Sequence, residues 1–174
     1  MSEKTTSVNA EGVFEPFHVS SVPWEEASHG ERFGMRFQHL SSFGGGSQLS
    51  VSMEVLAPGK QANQSHYHLL EEEHLFILEG SLTLQLGAQS YELSPGHYAC
   101  FPAGQKIGHC LVNQTSAPCR YLVLGNPQRN DVAVFPETGR VSVKLTGESY
   151  RQSATMEYWD GVDISQPVRA PDAG

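Results

Sequence analysis

Two histidines spaced two apart, His66-x-His68, precede a carboxylate, Glu73, and a third histidine, His109, lies downstream in a Gly- and Pro-punctuated segment. In an extended strand, side chains two apart project from one face, so His66 and His68 can present ring nitrogens to a single ion while Tyr67 points away. Glu73 opens an apolar run to Leu78 that ends at Glu79-Gly80, read as a hairpin turn. Neutral imidazole and carboxylate suit one divalent metal ion, with iron or manganese favoured and zinc, nickel or cobalt also accommodated. Three imidazoles and one carboxylate leave open positions on an octahedral ion, where a small substrate or water could bind.

The elements that position these donors read as strands. Phe33, Met35 and Phe37 alternate with polar residues or Gly34, as do Leu49, Val51, Met53 and Val55, and then Leu82, Leu84 and Leu86. Further strands are expected over 73–79, 89–93, 97–101, 107–113, 119–125, 131–135 and 141–145, separated by Gly80, Gly87, Pro95-Gly96, Pro102 to Gly104 and Gly125-Asn126-Pro127. No helical period of ten or more residues competes, so the pattern is that of an all-β sandwich or barrel. Parity places Leu75 and Ile77 on the side of Glu73, and Leu111 on the side of His109, giving an apolar pocket wall. The polar set Gln48, Ser50, Ser52 and Glu54 reads as a solvent face; were it to line the barrel instead, Glu54 would become a candidate general acid or base, and Tyr98 is a second candidate.

The residues fall into two segments that resemble the signature of the cupin superfamily. The first runs Gly59, six residues, His66-x-His68, four residues, Glu73, six residues, Gly80 (59–80); the second runs Gly96, five residues, Pro102-x-Gly104, four residues, His109, three residues, Asn113 (96–113). The family pattern has five residues in the first gap and two before the last histidine, so the second segment carries a two-residue surplus, placed in a loop over the pocket. The resemblance implies a double-stranded β-helix (jelly-roll) barrel with His66, His68, Glu73 and His109 as metal ligands and Asn113 as a structural residue. It also implies a homodimer, which would cover exposed strand edges. Glu72 also fits the allowed gap after His68, but Glu73 leaves six residues before Gly80, so Glu71 and Glu72 are taken as solvated turn charges. His18, His29, His39, His74 and His97 have no such partners in sequence and are assigned surface or structural roles.

Length and composition bound the function. The chain of 174 residues, 39% hydrophobic, fits one domain, taken as residues 13–164 between loosely ordered tails at 1–12 and 165–174. A formal charge of -8 repels a phosphate backbone and argues against nucleic acid as a partner. No apolar run approaches the roughly 20 residues needed to span a bilayer, and no secretory segment precedes the domain, so a cytoplasmic location is expected. Cys100, Cys110 and Cys119 are read as buried free thiols. The function expected is a metal-dependent enzyme acting on a small oxygen-bearing molecule, with dioxygenase chemistry the first choice. The alternatives are a metal-dependent isomerase or lyase and a non-catalytic small-molecule-binding cupin.

Overall fold

The computed structural model describes residues 6–165. In chain order the strands are β1 (Glu25–His29), β2 (Phe33–His39), β3 (Ser50–Leu56), β4 (Tyr67–His68), β5 (Glu73–Glu79), β6 (Leu82–Leu86), β7 (Gln89–Leu93), β8 (Tyr98–Phe101), β9 (His109–Val112), β10 (Cys119–Gly125), β11 (Val132–Phe135), β12 (Arg140–Val143) and β13 (Glu148–Arg151). A single helical turn, α1 (Leu40–Phe43), interrupts the β2–β3 link.

One wall is a six-stranded sheet in the order β1-β2-β3-β10-β5-β8; the other is formed by β7-β6-β9 and β13-β12-β11-β4. Two narrow links join the pieces. Gln61 bridges to Phe33 and to Val112, and His66 bridges to His109. The core fills the space between the walls: Leu56, Leu75, Ile77 and Tyr121 come from the six-stranded sheet, and Leu82, Leu84 and Leu111 from β6 and β9. Burying each of the larger side chains contributes roughly 1.5–3 kcal/mol. The molecule is an all-β jelly-roll barrel, as the strand rhythm indicated.

Gly80 is a corner rather than a hairpin, because β5 and β6 belong to opposite walls. Its φ is +73°, and a Cβ there would fall 2.4 Å from the Pro118 carbonyl oxygen, so both backbone conformation and space require glycine. The parity of β3 is also the reverse of the sequence reading. Ser52, Glu54 and Leu56 face inward, with Glu54 paired across to the core residue Tyr121, while Met53 pairs with Leu122 on the outer face. The outer face is itself apolar, with Phe76 and Leu122 also in register there, so hydrophobic alternation alone did not mark the inner side.

Other expectations need smaller corrections. Strands β1 and β13 and the turn α1 were not anticipated; β1 is exposed throughout and carries no apolar alternation. From residue 6 the N-terminal stretch is not loose: Ser7 is buried and its N–H donates to the Phe43 carbonyl at 2.7 Å. The C-terminal tail lies outside the described residues except Ser165. Cys110 and Cys119 are buried and their thiols are pushed up to about 11 by burial, but Cys100 is exposed on the outer face of β8 opposite His74.

Candidate metal centre

The short strand β4 and the residue before it deliver His66 and His68, the first residue of β5 delivers Glu73, and the first residue of β9 delivers His109. These four side chains come together. Glu73 Oε2 lies 3.1 Å from His109 Nε2, 3.7 Å from His68 Nε2 and 4.0 Å from His66 Nε2. Donor atoms of His66, His68 and Glu73 all fall within 4.8 Å of one another. His66 and His109 are buried and the His68 side chain is largely covered, whereas Glu73 is partly open.

The far nitrogens determine which way the rings present their lone pairs. His66 Nδ1 donates to the Gln64 carbonyl at 2.8 Å, which leaves Nε2 free to act as a donor atom to an ion. His68 Nδ1 donates to Asp131 Oδ2 at 2.5 Å, and Asp131 is fully buried. Asp131 in turn accepts from the N–H groups of Leu70 at 2.9 Å and Glu71 at 3.3 Å. Burial would raise the Asp131 carboxyl, but the His68 bond and the two backbone donors outweigh it and hold the group below its usual value. The His109 ring stacks flat on Phe101, with centroids 3.7 Å apart and planes at 3°. All four side chains thus converge with their rings held from behind, and the three-nitrogen, one-oxygen set fits a divalent transition ion.

The charges behave accordingly. Burial works against ionisation of Glu73, yet the hydrogen bond from His109 and the neighbouring imidazoles outweigh it and lower its pKa. His66 is lowered to about 4, by burial first and then by His109, which keeps it neutral, the form that metal binding would require.

Sequence reasoning missed Asp131, because no local pattern marks a residue that meets His68 across 63 positions. It also misplaced Glu71, read as a solvated charge. Glu71 is buried, accepting from Gln128 N–H at 2.6 Å and Lys144 Nζ at 2.5 Å. Glu72 is half-exposed, as expected, and accepts from His74 Nε2 at 3.0 Å on the outer face. His74 therefore faces away from the centre. Asn113 is structural: it is fully buried and donates to the Leu56 and Ala117 carbonyls.

A cavity of about 200 Å³ opens beside the donors, bordered by Glu73, His109, Leu75, Phe101, Val123 and Glu54. Leu75 and Leu111 form part of its wall, as parity indicated; Ile77 is packed in the core cluster instead. The Glu54 carboxyl is pushed up to about 7, chiefly by burial and further by the charge of Glu73, with the Tyr121 hydroxyl partly offsetting the rise. Glu54 was set aside in the sequence only because the parity of β3 was inverted.

Comparisons with known proteins agree with the geometry. Residues 52–125 match the family model for the cupin domain. The tetracenomycin polyketide synthase protein TcmJ of Streptomyces glaucescens is 29% identical over 89 residues, covering 51% of this chain and 55% of that protein, so the match spans about half the length of the relative. A cupin-superfamily sugar phosphate isomerase from Silicibacter pomeroyi superposes with a TM-score of 0.72 at 27% identity, covering 81% of this chain and 95% of the other. The polyketide cyclase RemF of Streptomyces resistomycificus superposes at 0.56 with 23% identity, covering 67% and 81%, a likeness of fold. With both signature segments folded into one jelly-roll barrel and their donors converging at its centre, residues 52–125 form a cupin domain.

Proposed function

We propose that this protein is a metal-dependent enzyme that moves a proton on a small hydroxy-carbonyl compound, an isomerase-type activity, with His66, His68, Glu73 and His109 as the metal ligands and Glu54 as the general acid and base. The observation that carries this reading is Glu54. It borders the same cavity as Glu73 and His109, and burial raises its carboxyl to about 7 in the metal-free protein, so that even with a nearby cation favouring the carboxylate it is a stronger base than an ordinary glutamate. A divalent ion held by the four donors would supply Lewis acidity toward a substrate oxygen. Glu54 takes the proton from the hydroxyl-bearing carbon next to the carbonyl and returns it to the former carbonyl carbon, while the hydroxyl proton passes to the carbonyl oxygen, so that carbonyl and hydroxyl exchange places. Leu75, Phe101 and Val123 limit water around that transfer. The likeness to the sugar phosphate isomerase supports this choice over the other chemistries of the fold.

The same donors with iron could support the dioxygenase chemistry expected from the sequence, a reading favoured by the apolar wall of Leu75, Leu111 and Phe101. The homodimer expected from the family is supported by the outer face of the six-stranded sheet, where Met53, Leu122 and Phe76 lie in register and Phe76 is exposed.

Elemental analysis of protein purified without a metal-affinity step, beside His68→Ala, should give near-stoichiometric metal that the variant loses. The loaded protein should then exchange solvent deuterium into an α-hydroxycarbonyl compound, read by NMR, and Glu54→Gln should bind metal normally but exchange about 100-fold or more slowly. Exchange by Glu54→Gln at the wild-type rate would refute the assignment. Oxygen uptake by the iron-loaded protein without any exchange would favour the second reading.

A further inference from the structure

A second cavity, of about 290 Å³, adjoins the first: Ala62 and Asn63 line both. Among the described residues its ionisable lining groups are Arg140 and His29, and no carboxylate lines it, in a chain whose net charge is -8. The Arg140 guanidinium lies 3.7 Å above the centroid of Phe135. The Phe135 ring also stacks on the ligand His66, at 5.6 Å and 24°. One aromatic side chain therefore touches both the arginine and the candidate metal centre.

Arg140 is poorly served by the protein itself. Its buried Nε makes no hydrogen bond, and no carboxylate pairs with it among the described residues. Its cross-strand neighbours are Phe135 and Arg151, so one flank is aromatic and the other cationic. A buried donor left unmade destabilises the fold, and like charges on adjacent strands add to that. The planar guanidinium fork matches an oxyanion with two oxygens, and stacking on Phe135 fixes its plane.

We propose that this cavity is an anion subsite in which Arg140 receives the carboxylate or phosphate of a small substrate whose oxygenated end reaches the His66, His68, Glu73 and His109 centre. The anion site stands on the cavity and on Arg140; its coupling to the centre rests on the function proposed above. Asn63, common to both cavities, lies where such a molecule would pass from one to the other.

Calorimetric titration of the metal-free full chain at low salt, with inorganic phosphate and separately with malonate, tests the site. The wild type should show saturable binding of at least one of them, and the stronger of the two identifies the anion class. Arg140→Gln should weaken that binding about tenfold or more, and Arg140→Lys, which keeps the charge without the fork, should weaken it less. Arg120→Gln, at an exposed pair with Glu79, should leave it unchanged. No saturable binding by the wild type, or wild-type binding by a folded Arg140→Gln, overturns the subsite. In Mn(II)-loaded protein the ³¹P relaxation of bound phosphate should be enhanced relative to the Zn(II)-loaded form. Normal binding without enhancement overturns the coupling to the centre, and failure to take up Mn(II) counts against the proposed function while the calorimetry still decides Arg140.

Discussion

Replacing Glu54 by Gln should stabilise the metal-free protein, and only above mildly acidic pH. A carboxyl raised from 4.5 to about 7 in the fold binds its proton more tightly there than in the unfolded chain. Below pH 4.5 both states are protonated and the residue contributes no pH dependence. Between 4.5 and 7 the folded state holds more protons, so stability falls as pH rises; above 7 both states are ionised and the penalty is constant. At 1.36 kcal/mol per pH unit of displacement, the penalty at pH 8 is at most about 3 kcal/mol. Gln is nearly isosteric and never ionises, so it escapes this cost. Urea unfolding of wild type and Glu54→Gln, in chelator, should give closely similar stabilities near pH 4.5 and a gap that widens to about 2–3 kcal/mol in favour of the variant by pH 8. Titrating groups remote from Glu54 cancel in the difference, while Glu73, whose charge helps to raise Glu54, is part of what the comparison reads. Adding metal should narrow the gap, because a nearby cation favours the ionised carboxylate. A gap that does not change with pH would refute the claim that Glu54 is held protonated by its surroundings, and with it the basis for its acid–base role.

Three further perturbations address other parts of the structure. Asp131→Asn removes the carboxylate behind His68 and should weaken metal binding about 10–100-fold in a competition titration with a chelating dye; unchanged affinity would mean that Asp131 serves the loop alone. Gly80→Ala forces a side chain into a left-handed backbone and onto the Pro118 carbonyl, and should cost at least about 1–3 kcal/mol by urea unfolding, a smaller loss showing that the corner relaxes. If the outer sheet face seats a second copy, light scattering will return the mass of a dimer for the wild type and of a monomer for Leu122→Lys; a monomeric wild type would remove the dimer proposal.

The sequence revealed what depends on local geometry. His66 and His68 are two apart on extended backbone, and the spacing to Glu73 and Gly80 marks a strand start and the turn after it, so these candidate donors could be named from the chain, with His109 added through the cupin resemblance. Glu54 could not, because the face opposite it, with Met53, is also apolar and alternation assigns a side only when one face meets water. Asp131 and Glu71 escaped for a different reason. Each is buried through partners more than fifty residues away, and a charge beside a turn carries no local sign of such pairing. Arg140 likewise becomes informative only once the barrel shows that no acid among the described residues pairs with it.

The bond from His68 to Asp131 joins the early part of the chain to the segment that leads into β11, and β11 itself pairs with β4. All four donors are synthesised before Asp131, yet the ring that most depends on it is oriented only after β11 has docked. If these donors hold a metal as proposed, its tight loading is a late event that waits on long-range closure, and the ion is retained by the finished barrel rather than by its precursors. In refolding started with metal present, the signal for tight uptake should follow the slowest folding phase, and uptake preceding that phase would show that the donors assemble without their support.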